Sequence, residues 1–217
     1  MALLIHNHLS QEIVLGVWKV EEDDRFFEER LSIFPEEKLE LALLKGRKRT
    51  EWLSSRHLLH VLSNVTDRYP CLKDEYGKPY LKSFDRSISL SHSSQYTAAL
   101  IADMPCGIDV QVIVPKISRI VSKFIRTDEF EFIPTTANDI LYYHTIWGAK
   151  ESMYKAYGKK SLDFKKDMQV FSFNILNDKF TLKGKVSKGD FLAYYQIHCQ
   201  IIHSIILVYA IQEPFSI

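Results

Sequence analysis

Met104-Pro105-Cys106-Gly107-Ile108-Asp109-Val110-Gln111-Val112 stands near the middle of a chain of 217 residues. Met-Pro-Cys-Gly punctuates the chain, and the five residues after it alternate apolar and polar with the period of a strand. The stretch predicts a boundary near residue 104 and a new strand beyond it. Upstream, Ile13 to Val20 reads as a strand and Glu21 to Asp24 open a helical stretch. Pro35 begins another helical pattern that carries Leu39 and Leu41 to Leu44. Past the basic run Lys45 to Arg49 it continues through Trp52, Leu53, Leu58 and Val61. A Tyr76-Gly77-Lys78-Pro79 turn and β-prone runs at 87–91 and 96–102 complete that half. Downstream, helical patterns at 116–126 and 139–157 precede β-rich segments at 168–175, 178–186 and 191–211. Both halves run strand, helices, strands, although no residue-level repeat is visible. The expectation is an α+β protein of two lobes, 1–103 and 104–217.

Composition narrows the function classes. Hydrophobic residues make up 46% and charged residues 25%, the balance of an ordinary globular chain. Twenty-eight Lys and Arg against 27 Asp and Glu leave a net charge of +1, so no global field collects nucleic acid or an anionic membrane. The three cysteines are scattered, without a Cys-x-x-Cys pair for zinc or redox work, which fits a reducing compartment. The longest apolar run, Ile201 to Ile211, is interrupted by His203 and Ser204 and is shorter than the roughly 20 residues of a membrane helix. The first residues lack a signal peptide's basic start and apolar core. A soluble cytoplasmic protein is expected.

Three clusters carry chemistry. On a helix around Trp147 to Lys155, Ile146, Ala149, Met153 and Ala156 share a core face, while Trp147, Lys150, Glu151, Tyr154 and Lys155 form the opposite stripe. In the strand after Gly107, apolar Ile108, Val110 and Val112 point one way, so Asp109 and Gln111 share the other face. With Glu151 they would make a hard-oxygen set suited to Mg²⁺. Ser89-Leu90-Ser91-His92-Ser93 offers hydroxyls, turn amides and an imidazole to a phosphate, with Arg56 and Lys78 as upstream cations. Each cluster alone also has an ordinary reading, as a wet helix face, a strand edge or a serine-rich turn.

Taken in order, the motifs resemble the 4′-phosphopantetheinyl transferases. Gly107-Ile108-Asp109-Val110-Gln111 and Trp147-Gly148-Ala149-Lys150-Glu151-Ser152-Met153-Tyr154-Lys155 resemble the paired signatures G-[IV]-D-[IV]-E and W-x-x-K-E-[AS]-x-x-K. Ser54 to Leu59, Tyr76 to Pro79 and Ser89 to Ser93 resemble three further blocks, so the likeness spans residues 54–155. The length matches the larger, two-lobed branch, the surfactin-synthetase-activating type. The resemblance implies two similar lobes packed as a pseudo-dimer, each a small, mostly antiparallel sheet with helices, and coenzyme A in the cleft between them. It implies Mg²⁺ on Asp109 and Glu151, with Lys150 and Lys155 on the phosphates of coenzyme A. Arg56, Lys78, Ser91 and His92 would hold its 3′-phosphate and adenosine end.

The implied reaction moves phosphopantetheine from coenzyme A to a serine hydroxyl of an acyl or peptidyl carrier protein and releases adenosine 3′,5′-bisphosphate. Glu151 is the expected general base, assisted by Lys155. Gln111 departs from the pattern, because an amide brings no charge to a metal; it is expected to bind weakly or through water. The alternative is a non-catalytic coenzyme A-binding or regulatory homologue whose metal site is weakened. Lys116, Arg119, Lys123 and Arg126 recur at roughly helical spacing and are a candidate surface for an acidic carrier protein. The expected state is a monomer.

Overall fold

A computed structural model describes residues 3–135 and 139–214. The chain divides into two compact units, Met1–Asp103 and Met104–Ile217. Each is α+β, with an antiparallel sheet covered by one long helix.

The N-terminal unit contains strands β1 (Leu3–His8), β2 (Ile13–Lys19), β3 (Cys71–Lys73), β4 (Pro79–Leu81), β5 (Ser87–Ser93) and β6 (Tyr96–Ala102), and helices α1 (Asp24–Glu28), α2 (Pro35–Leu43) and α3 (Arg47–Ser63). Its main sheet has the order β1-β2-β6-β5. The apolar run Val14 to Trp18 is buried throughout, and β2 is an inner strand of that sheet. Leu58 and Leu62 of α3 lie over it, and α3 also packs on β6. The helical pattern that begins at Pro35 is interrupted: Leu44 is extended and Gly46 sits at φ 53°, a backbone that glycine takes without strain, so α2 and α3 are separate helices. The Tyr76-Gly77 turn joins β3 to β4, and the Asp74 carboxylate accepts from the amides of Tyr76 and Lys78, both at 2.9 Å.

The C-terminal unit contains β7 (Cys106–Val112), a 3₁₀ segment (Pro115–Ile120), helices α4 (Val121–Phe124), α5 (Thr127–Phe130) and α6 (Asp139–Tyr157), and strands β8 (Met168–Val170), β9 (Lys179–Lys188), β10 (Phe191–Ile202) and β11 (Ile205–Gln212). Its sheet has the order β7-β11-β10-β9-β8. The β-rich stretch 191–211 is two strands, since His203 at φ 52° turns the chain between β10 and β11. The expected helical stretch 116–126 is instead broken into the 3₁₀ segment and α4, ending at extended Ile125. Lys116, Arg119 and Lys123 are exposed on these short pieces, while Arg126 pairs with Asp128 and donates to the Lys165 carbonyl. They do not form one helical basic stripe. Helix α6 packs across β7 and β11, burying Ile146, Ala149, Met153 and Ala156. No helix among the described residues is long and apolar enough to cross a membrane.

Candidate active site

The site grows from the contact of α6 with β7. A Cβ on Gly107 would lie 1.9 Å from the Ser152 carbonyl oxygen, so only glycine lets the strand touch the helix backbone there. Gly148 repeats the arrangement from the helix side, where a Cβ would meet Gln111 Nε2 at 2.7 Å and Val208 Cγ2 at 2.8 Å. Ser152 Oγ donates to the Val208 carbonyl of β11 at 3.0 Å and fastens the same seam. Alternation in β7 then turns Asp109 and Gln111 toward the stripe of α6 that carries His144, Gly148, Glu151 and Lys155, spaced at four, seven and eleven residues.

Asp109 is 7% exposed. The Lys155 ammonium donates to its Oδ1 at 3.0 Å and to the Ile108 carbonyl at 2.7 Å, using two of its three N–H groups. Glu151 is partly buried, and its side chain makes no hydrogen bond or ion pair with the described residues. Burial, then the negative charge of Asp109, pushes its carboxyl above the ordinary range, and Lys155 pulls the other way. Two neighbouring carboxylates, one of them made a better base by the charge of the other, are an oxygen set that a divalent cation would relieve. Among the described residues no three His, Cys, Asp or Glu side chains come together to hold a metal ion. The donor set therefore fits a hard ion only in the two-carboxylate mode, with water and phosphate oxygens as the other ligands.

Lys150 departs from the expectation. Its side chain is 0% exposed, and its ammonium donates to the carbonyls of Phe124 (2.7 Å) and Phe164 (2.9 Å) and to Glu129 Oε2 (2.7 Å). An ammonium has three donors, and all three are used inside the unit. Burial lowers its pKa to about 8, against the pull of Glu129. The structure places Lys150, expected on the phosphates of coenzyme A, as a buried cation whose three donors are used within the unit. Gln111, 9% exposed, is also engaged: its Oε1 lies 2.8 Å from His144 Nδ1 and its Nε2 donates to the His144 carbonyl at 3.2 Å.

The remaining expected residues belong to the N-terminal unit. Arg56 is 5% exposed and stacks on Trp52 at 4.1 Å, with Nη1 donating to Ser55 Oγ and Nη2 3.5 Å from Glu40. It borders a cavity of about 10 Å³ shared with His60, Arg68 and Cys71, room for about one water. Lys78 is half-buried at the start of the β3–β4 return. Ser91 is buried and His92 exposed, because neighbours on β5 project to opposite faces of the strand; the cluster expected at 89–93 is split between two faces.

Two residues escaped the sequence reading. His144 carries a signal in its spacing, one turn before Gly148 and two before Glu151 on the same stripe. Glu129 carries a weaker one, as the glutamate three residues after Arg126 whose Oε2 accepts from the Arg126 amide at 2.8 Å.

Residues 105–204 match the 4′-phosphopantetheinyl transferase superfamily. The chain is 31% identical over 111 residues to 4′-phosphopantetheinyl transferase gsp of Aneurinibacillus migulanus, covering 50% of this chain and 46% of that one. It is 28% identical over 109 residues to psf-1 of Bacillus pumilus, with 48% and 46% covered. Against Sfp of Bacillus subtilis strain 168 the identity is 30% over 88 residues, with 39% of each covered. The chain thus spans less than half the length of each of these relatives. The segment that carries Asp109, Glu151 and Lys155 is similar to the 4′-phosphopantetheinyl transferase superfamily.

Proposed function

We propose that the protein is an enzyme that transfers the 4′-phosphopantetheine arm of coenzyme A to a serine hydroxyl of an acyl or peptidyl carrier protein, releasing adenosine 3′,5′-bisphosphate. The observation that carries the reading is the convergence of Asp109 and Glu151 on one seam, inside the segment that matches the superfamily. In phosphoryl transfer the protein mainly positions groups and neutralises charge. A Mg²⁺ held by the two carboxylates would supply charge neutralisation to the pyrophosphate when bound, with Gln111 taking part at most through a water.

The side chains divide the remaining work. Lys155 keeps Asp109 in place and has a third N–H for a phosphate oxygen. Glu151, with its proton affinity raised by burial and by Asp109, takes the proton of the attacking serine hydroxyl at its carboxylate. In the N-terminal unit, Arg56, Lys78, Ser91 and His92 are assigned to the 3′-phosphate and adenosine end of coenzyme A. Arg56 is the strongest of these, since its buried Nε and Nη2 have no hydrogen-bond acceptor among the described residues. The protein would act as a monomer in the cytoplasm, on an acidic carrier.

The deciding experiment is mass spectrometry of several apo carrier proteins incubated with the protein, Mg²⁺ and coenzyme A. A gain of one phosphopantetheine is expected; no gain on any carrier overturns the reading. Coenzyme A binding by calorimetry that ignores Mg²⁺, together with that null result, would establish the non-catalytic binder instead.

A further inference from the structure

His144 decides the chemistry of its neighbours through its own backbone. A carbonyl oxygen only accepts, so the end of the Gln111 amide 3.2 Å from the His144 carbonyl is Nε2. Oε1 is then the atom 2.8 Å from His144 Nδ1, and the ring must carry its proton there. That leaves a lone pair on Nε2, which accepts from the Val114 amide at 3.0 Å. The Val114 carbonyl is 3.1 Å from the same nitrogen, but it already accepts from the Ile117 amide. Two backbone groups from opposite sides therefore select one neutral imidazole tautomer and one amide orientation. Gly148 leaves the space in which that amide lies.

A glutamate would keep only half of this arrangement: a carboxylate at position 111 can still accept from His144 Nδ1, but it has no N–H for the His144 carbonyl. The amide thus makes one more bond across the seam than a carboxylate would. We propose that Gln111 is a clasp tying β7 to α6, and that His144 is the positioning residue that holds it out of the coordination of an ion at Asp109 and Glu151. The proposal rests on the reading of those two carboxylates as the ion's ligands. Its consequence is an ion with two protein carboxylates and more positions left for phosphate oxygens than a three-acid site would leave.

The test measures Mn²⁺ binding to the full chain by electron paramagnetic resonance of the free ion, without coenzyme A, so turnover plays no part. Asp109→Asn tests the underlying reading separately: it should weaken Mn²⁺ binding by about tenfold or more, and an unchanged affinity overturns the site itself whatever His144 does. With that control met, Gln111→Glu should leave Mn²⁺ affinity within about threefold of wild type, because His144 holds the new carboxylate away from the ion. Adding His144→Leu to Gln111→Glu should release it and tighten Mn²⁺ by about tenfold. Adding His144→Asn instead, which keeps a side-chain N–H near the position of Nδ1, should restore the affinity of Gln111→Glu alone. Tightening of about tenfold by Gln111→Glu alone, or double variants with Leu and Asn that bind alike, overturns the proposal.

Discussion

Each unit lays its longest helix over its sheet at a glycine, and the two contacts differ in what fills them. Under α3, a Cβ on Gly16 would meet Leu62 Cδ2 at 2.9 Å and Leu58 Cδ1 at 3.0 Å, the mobile ends of side chains. Under α6, a Cβ on Gly107 would meet the Ser152 carbonyl at 1.9 Å and the Ala156 amide nitrogen at 2.9 Å, which are backbone. A side-chain layer keeps α3 off its sheet, whereas α6 touches its strand directly. Direct contact is what brings short Asp109 within reach of Lys155 and within the field of Glu151. The N-terminal seam is packed for stability, and the C-terminal one has given up a packing layer to assemble polar groups.

The largest effect should come from forcing the two seams to resemble one another. Gly107→Ala drives a methyl into a carbonyl that cannot move alone, so its cost should exceed the about 1–3 kcal/mol usual for overpacking. Gly16→Ala should stay at or below the lower end of that range, since leucine methyls can turn aside. Urea denaturation of both variants reads the contrast, and equal losses would break the comparison.

A second parallel concerns the glutamates that accept from the backbone amide at the start of a helix. Glu37 Oε2 accepts from the Phe34 amide, Glu37 Oε1 accepts from the Cys71 amide of β3, and Arg68 pairs with both oxygens. In the other unit Glu129 accepts from the Arg126 amide, from the Val170 amide of β8 and from Lys150. In each unit a buried glutamate at the third position of a short helix joins its own helix, a strand and a cation. Arg68 comes from the loop after α3, whereas Lys150 comes from the site helix and precedes Glu151. Lys150→Met leaves Glu129 buried without its cation and should cost about 3–5 kcal/mol; adding Glu129→Gln should recover part of it. Arg68→Met should cost a similar amount. Denaturation measures all three, and a neutral Lys150→Met would return Lys150 to the role of a phosphate donor.

Glu151→Gln sharpens the contrast between neighbours. It keeps shape and removes charge, so turnover should fall by roughly 10² or more while coenzyme A still binds. Circular dichroism should be unchanged, unlike that of Lys150→Met. A near-normal rate would remove Glu151 from the chemistry.

Periodicity made part of this legible. Alternation after Gly107 placed Asp109 and Gln111 on one face, and the face of Ile146, Ala149, Met153 and Ala156 is the buried one. Lys150 was misplaced for a physical reason: a helical stripe describes direction, and only tertiary structure supplies Glu129 and two carbonyls to bury a cation that composition assigns to solvent. The break at Gly46 and the turn at His203 lay within runs whose apolar pattern continues across them. The recurrence of Glu37 and Glu129 left no trace in residue identity, because their cations differ in type and in place along the chain.

The smallest expected effect again separates the seams. His57 lies on α3 among the rings of Trp18, Phe26 and Phe27, and its buried Nδ1 has no hydrogen-bond partner among the described residues. Burial lowers its pKa below the ordinary 6.5, helped by the nearby positive charge of His60 and Arg30. A base whose folded pKa is depressed stabilises the fold above its unfolded value; that contribution is lost as pH falls from about 6.5 toward the folded one, because only the unfolded chain gains the proton freely. His57→Phe keeps a ring in the aromatic cluster and removes the proton site, so the melting temperature should decline less steeply below pH 6.5 than in wild type. Scanning calorimetry between pH 7 and about 5 reads the difference. His144, at the other seam, should resist the same acid through its burial, against the pull of Val114 and Asp109. Parallel curves for wild type and His57→Phe would show that the side-chain layer under α3 carries no acid-labile group.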